Sequence, residues 1–280
     1  MLDHPLKDLD AWSAHLVGAD FPVLPASINE IAYMAQAEEV RGNVDAHTLA
    51  PALMGDPLMT LKVLAHVSRF CTRLHVEPPE TLTGAIVMQG IEPFFKAFST
   101  LTSVDQALAP YPGALQGLHR TLHRGRRAAH LAVSFAMHRQ DEDAEVIQQA
   151  ALLHDFAEML MWCEAPTLML EVERLLAHDH TLRSHQVQSD VLNVTLVDLA
   201  QSLMHAWQLP DLLIRCTDDR HAEHPTVRTV MLAVRVARHT QYGWDAVNAH
   251  AALPDDIADV AQLLTLSKEA AARKIHDLDT

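Results

Sequence analysis

Glycine is scarce in this chain, 9 residues in 280, or about 3% where soluble proteins usually carry ~7%. The glycine-rich loops that hold phosphates are missing with it. There is no G-x-G-x-x-G, no P-loop and no G-x-S-x-G, and no serine or cysteine triad with identifiable partners. Nucleotide hydrolysis through a phosphate-cradling loop is thereby excluded. Cysteine is also rare. Cys71, Cys163 and Cys216 form no C-x-x-C pair and are odd in number, which suits reduced thiols rather than a disulfide framework, and none has the setting of a nucleophile. No apolar run approaches the 18 or more residues, roughly, that a membrane span requires. The opening MLDHPLKDLDAWSAHLVG lacks the continuous apolar segment of a signal peptide. A cytoplasmic protein without membrane contact is expected. Basic residues are outnumbered, 21 Lys plus Arg against 36 Asp plus Glu for a formal charge of −15, so the average surface repels phosphate backbones and no nucleic-acid partner is expected. Strict apolar–polar alternation is missing too, and no sheet is expected.

What is present favours helix. Apolar residues make up 49% of the chain, enough for a real core, and Ala, Leu, Met, Gln and Glu recur throughout. Ser27-Ile28-Asn29-Glu30 has the form of a capping box after Leu24-Pro25. Asp56-Pro57 places a capping carboxylate before a proline suited to the first helical position, and Leu58, Leu61, Leu64, Val67 and then Phe70 or Cys71 follow at helical spacing. Further helices are predicted over 83–98, 115–139, 144–162 and 187–207, with starts at Leu209-Pro210 and His224-Pro225 and short amphipathic turns over 255–277. The 144–162 helix is apolar around most of its circumference and should be central. Pro110, Pro112 and Gly113 suggest a division into lobes over 1–112 and 113–280. The basic run 119–127 reads as the solvated face of a long helix.

Histidine is over-represented, with 19 residues, too many for one site. The informative pair is His154-Asp155, inside the central apolar helix. A buried imidazole beside a carboxylate can ligate a divalent metal with help from neighbouring helices. It can equally be satisfied by hydrogen bonds between helices. Glu158, four residues after His154 and three after Asp155, falls near the same helical face and is either a third ligand or a surface acid. His119 and His123 have a chelating spacing, but arginines crowd them. His221 and His224 flank Ala222-Glu223 in a stretch read as an interhelix loop, and His178, His180 and His185 invite the same reading as exposed histidines.

Four motifs in order resemble those of the HDOD (HD-related output domain) family. Leu24-Pro25 followed by Asp56-Pro57-Leu58-Met59-Thr60-Leu61-Lys62-Val63-Leu64 resembles its "LP…DPxLTxxLL" opening. Gly84-Ala85-Ile86-Val87-Met88-Gln89-Gly90 resembles "xxAIxxLG", with Gln89 where leucine is usual. Ala151-Leu152-Leu153-His154-Asp155 is similar to "GLLHDIG", and Ala206-Trp207-Gln208-Leu209-Pro210 to "xWxLP". The match spans roughly residues 20 to 240. The resemblance implies an all-α fold, an N-terminal helical bundle packed on a C-terminal HD-like helical lobe. It also implies a bacterial signalling output or regulatory module related to the HD metal-dependent phosphohydrolases.

Departures from the hydrolase pattern bear on activity. The resemblance puts an earlier histidine ligand near Arg124 and a later aspartate ligand within 232–238, where Arg235 and Arg238 stand, and guanidinium offers no lone pair. His123 and His130 flank the first position. No acid occurs between Val227 and Thr240. Where phosphodiesterase relatives read His-Asp-Ile-Gly-Lys, this chain reads His154-Asp155-Phe156-Ala157-Glu158, an acid in place of a phosphate-attracting lysine. The reading is a non-catalytic adaptor in which His154 and Asp155 are vestigial metal ligands and Glu158 a candidate third, with no cofactor required. Its partner is a signalling protein supplied in trans, because only about 20 residues precede the first motif. The alternatives are a metal-dependent phosphohydrolase using His154, Asp155, Glu158 and His123 or His130, and a scaffold that binds a nucleotide second messenger without cleaving it.

Overall fold

A computed structural model describes residues 1–179 and 181–278, with the Asn248 side chain left aside. His180, one of the exposed-histidine candidates, lies outside the described residues. The described chain is all-α, and its sole strand-like feature is an isolated parallel bridge between Val23 and Ser103. In chain order the helices are α1 (Leu9–Gly18), α2 (Pro25–Arg41), α3 (Ala46–Leu53), α4 (Pro57–Leu74), α5 (Leu82–Gln89) and α6 (Ile91–Ala97). There follow α7 (Val104–Ala107), α8 (Pro112–Arg139), α9 (Ala144–Leu153), α10 (Phe156–Glu164), α11 (Pro166–His178) and α12 (Ser184–Leu192). The chain ends with α13 (Leu196–Ala206), α14 (Asp211–Cys216), a 3-10 turn over Asp219–His221, α15 (Pro225–His239), α16 (Val247–Leu264) and α17 (Lys268–Asp277).

These helices form two compact units, each built from two stretches. The first joins Met1–Thr121 to Asp155–Pro210, the second Leu122–His154 to Asp211–Thr280. Helix α8 therefore contributes its first part to one unit and its remainder to the other.

In the first unit, one carboxylate links the two earliest motifs. Asp56, 2% exposed, caps α4 by accepting from the backbone N–H groups of Leu58 (3.0 Å) and Met59 (3.2 Å). Its other oxygen accepts from the Leu24 N–H and the Ser27 hydroxyl, both at 2.8 Å. The capping box expected at Ser27 is not formed. Pro25 occupies the first turn and α2 starts there, so Ser27 lies inside the helix and its hydroxyl turns to Asp56 instead. From Asp56 onward the expected stripe of α4 is buried through Leu58, Leu61, Leu64, Val67 and Cys71. Trp207, from the last motif, is 1% exposed and packs against Phe156 and Phe21, with ring centroids 5.9 and 6.2 Å away.

Three helices expected to be continuous are divided. The 83–98 helix breaks at Gly90, whose φ of 83° and ψ of 152° suit glycine almost alone. The 187–207 helix breaks at Asn193, left-handed at φ 60°, and restarts under a Thr195 cap on the Asp198 N–H at 3.2 Å. The 144–162 helix breaks at His154-Asp155. In the other direction, 255–277 is more regular than short turns: α16 runs through Pro254, and Ser267 caps α17.

In the second unit α15 packs along α9 and α16. The basic run that starts in α8 is not merely a solvated face. Arg124 is 7% exposed and donates to Gln241 Oε1 at 3.0 Å. Arg127 donates to the Ala237 and Thr240 carbonyls (3.3 and 3.2 Å) and to Thr240 Oγ1 (2.6 Å), so a cation satisfies the C-terminal end of α15. Arg127→Ala is expected to cost about 2 kcal/mol, and Arg127→Lys to recover only part, since an ammonium is a single point donor where a fork is needed. Chemical denaturation of the three proteins side by side checks this ordering.

Candidate functional site

The His154-Asp155 pair stands where the chain passes from the second unit back to the first. His154 ends α9 in helical conformation, φ −53° and ψ −41°, while Asp155 at φ −99° and ψ 22° steps off the helical path before α10 begins. The pair is therefore at a helix junction and not within a continuous helix. Apolar burial continues on both sides, through Leu152, Leu153, Phe156 and Ala157, which is why hydrophobic pattern alone passes over the break.

The consequences reach each candidate ligand. In the second unit, His154 has a side chain only 8% exposed, and its Nε2 lies 3.1 Å from Asp219 Oδ1. Asp219 opens the 3-10 turn, which Asp218 caps. The Arg220 guanidinium, donating to both Asp218 oxygens at 2.7 and 2.8 Å, holds that carboxyl below the usual carboxylate range. His221 ends that turn and His224 immediately precedes α15, with side chains 57% and 67% exposed, and both lie beside Glu223. They are surface histidines, as loop residues usually are.

In the first unit, Glu158 belongs to the first turn of α10. Its Oε1 accepts from the buried Thr121 hydroxyl at 2.7 Å and from the Trp162 indole N–H at 3.4 Å. The interruption before α10 removes the unbroken i, i+4 register that suggested Glu158 as a partner of His154.

On α15 the positions that resemblance would give to a last ligand carry Arg235, which pairs with Asp256 and Asp259 of α16. Asp256 is 1% exposed and also lies 2.7 Å from His239 Nδ1. The Arg235 Nε to Asp256 Oδ1 approach is 2.7 Å, yet the N–H is not aimed at that oxygen, so this contact is an ion pair and not a hydrogen bond. The acids that α15 lacks in sequence thus come from the following helix, and they neutralise arginine. His119, His123, His130, His178 and His185 are exposed. Among the described residues no three His, Cys, Asp or Glu side chains converge as metal ligands would. Burial pushes the Cys163 thiol well above its ordinary range, which agrees with its reading as an inert core residue.

Two features of this region went unread in the sequence. No local signal marks Thr121, since its partner Glu158 lies 37 positions further along the chain. Asp219, one residue from a helix-capping Asp218, could have been flagged by the Asp218-Asp219-Arg220-His221 run of charges.

Several solved structures share this fold. The MmoQ response regulator of Methylococcus capsulatus is 18% identical, with 91% of this chain and 98% of that one aligned at a TM-score of 0.67. A virulence factor of Campylobacter jejuni is 18% identical, with 94% and 92% aligned at 0.64. An HDOD domain protein of unknown function from Geobacter sulfurreducens is 14% identical, with 96% and 93% aligned at 0.50. At these identities the likeness concerns the fold alone. A search of curated proteins finds no significant match. Among the described residues no helix is long and apolar enough to cross a membrane. The sequence profile of the HDOD domain matches residues 21–223, which takes in all four motifs and both of the stretches that flank the His154-Asp155 junction, and on that match the chain belongs to the HDOD family.

Proposed function

We propose that this protein is a non-catalytic signal-transduction output module, acting by binding a signalling protein or a small ligand in the cytoplasm. The observation that carries this reading is the fate of the ligand candidates. His154 faces Asp219, Glu158 serves Thr121 and Trp162, and the α15 positions hold an arginine already paired to two aspartates. A hydrolytic metal centre needs an open coordination position on a converging donor set and a bound water made acidic by the metal. Here the same donors are committed to hydrogen bonds and ion pairs within their own units. A negative Glu158 where a lysine would attract phosphate adds repulsion for a phosphodiester.

The test is metal content and turnover of tag-free protein, wild type against His154→Ala/Asp155→Ala, with Mn²⁺, Fe²⁺ or Zn²⁺ and bis(p-nitrophenyl) phosphate as the probe. Neither stoichiometric metal nor turnover is expected in either protein. Near-stoichiometric metal and turnover in the wild type, both lost in the double variant, would overturn this reading in favour of a phosphohydrolase with a rearranged site.

A further inference from the structure

The chain is strongly acidic, with 36 Asp plus Glu against 21 Lys plus Arg, yet one cleft of the first unit is lined by cations without counter-charges. Helix α4 presents His66, Arg69, Thr72 and Arg73 away from its buried stripe, and with Gln208 these line an open cleft of about 510 Å³. Gln208 follows α13 in the left-handed conformation at φ 56°, which brings its amide to the Thr72 hydroxyl at 2.6 Å.

The two arginines are held in a particular way. Arg69 Nε donates to the Ala65 carbonyl at 3.2 Å and Arg73 Nε to the Arg69 carbonyl at 3.3 Å, each one turn back along α4. These bonds anchor the guanidinium stems. The Nη donors of both have no protein acceptor, and no carboxylate pairs with either, among the described residues. Other arginines have found an acid, as Arg120 has with Glu173, Arg174 with Glu171 and Arg220 with Asp218. His66 packs edge-on against Phe98, with ring centroids 5.4 Å apart. Burial first, and then the positive charges of Arg69 and Arg73, hold its imidazole below the ordinary histidine value. The two guanidiniums beside it give the cleft a positive local field, which draws anions in.

We infer that this cleft binds a phosphate-bearing small molecule of nucleotide size, its phosphate against Arg69 and Arg73. Two guanidiniums one turn apart offer paired forks of donors whose geometry matches phosphate oxygens. The Thr72 hydroxyl, shared between the Ser68 carbonyl at 2.9 Å and the Gln208 amide at 2.6 Å, adds a polar rim beside the two arginines. The volume falls within the roughly 300–1,000 Å³ of small-molecule sites. An extended phosphopeptide is a poorer fit, because no strand edge forms among the described residues to pair with its backbone. The inference rests on the ligand-binding arm of the function proposed above. It is independent of the His154-Asp155 junction, since binding is read without turnover.

Isothermal titration with adenosine 5′-monophosphate and with inorganic pyrophosphate, at constant ionic strength, tests it. Saturable binding of both probes is expected, weakened about tenfold by Arg69→Gln or Arg73→Gln and about a hundredfold by the pair together. Arg174→Gln, elsewhere on the same unit, should bind as wild type does, and circular dichroism should find all the variants folded. No saturable binding, or binding indifferent to Arg69 and Arg73, would overturn the inference while leaving the protein-binding arm of the adaptor reading standing. A phosphoserine peptide that bound through the same arginines more tightly than either probe would overturn it in favour of a phosphorylated protein partner.

Discussion

Replacing Asp56 by alanine is expected to destabilise the protein by about 4 kcal/mol, more than any surface change in the chain. The loss has two parts. Removing the cap leaves the Leu58 and Met59 N–H groups at the start of α4 without their acceptor, typically ~1 kcal/mol. Removing the second oxygen strands the Leu24 N–H and the Ser27 hydroxyl in a buried place, about 1–3 kcal/mol for each donor. Asp56→Asn keeps one acceptor oxygen but turns an amide NH₂ toward two donors, so it should recover about half of the loss. Ser27→Ala removes only one donor, leaving the carboxylate three partners, and is expected to cost about 1 kcal/mol. Equilibrium urea denaturation of the four proteins would measure the series. If Asp56→Ala matched Ser27→Ala, the carboxylate would be no more than an ordinary helix cap.

Gly117→Ala is the second large effect, and its sign is opposite to what helix propensity suggests. In a helix interior alanine is favoured over glycine by about 1 kcal/mol. At Gly117, however, a Cβ would lie 2.5, 2.6 and 2.7 Å from Cζ2, Cη2 and Cε2 of Trp162. That ring is 4% exposed, and its N–H is committed to Glu158, so it cannot swing aside without dismantling the Thr121, Glu158 and Trp162 contacts. Overpacking of this kind costs about 1–3 kcal/mol, to which the disturbed hydrogen bonds add about 1. The net expectation is a loss of about 2 kcal/mol or more. Gly18→Ala is the control. Nothing lies within 4 Å of its Cβ position, and it should be neutral or slightly stabilising. A Gly117→Ala protein as stable as wild type in denaturant, with unchanged tryptophan emission, would mean that α8 and α10 can separate there at little cost.

Much of the secondary structure is legible without coordinates because its signals are short-range. Asp56-Pro57 and His224-Pro225 announce the starts of α4 and α15, and the stripe from Leu58 to Cys71 announces which face of α4 is buried. The four motifs, read in order, lead to the family that the profile match then shows. The errors share one cause. Over 83–98, 144–162 and 187–207 the apolar pattern runs through a break, because one residue in another conformation, such as Gly90, Asp155 or Asn193, leaves buried residues on both sides. Two of those breaks carried a usable mark, glycine at one and Asn followed by Thr-x-x-Asp at the other. The break at Asp155 carried none.

The sequence by itself determined that the chain is helical, where several helices begin, that it has a core to bury and that it is an HDOD protein. Only the tertiary structure decided what each polar group found when it was buried. Periodicity reports that a residue is hidden from water; it is silent on what the residue is hidden against, since its partner comes from a distant part of the chain. Asp56 reaches back to Leu24 and Ser27, Glu158 takes Thr121, Arg235 takes Asp256, and Thr72 meets Gln208 across 136 positions of sequence. The cost of leaving a charge or donor unpaired inside a protein is what selects those partners. Folding alone brings the candidates for each pairing within reach.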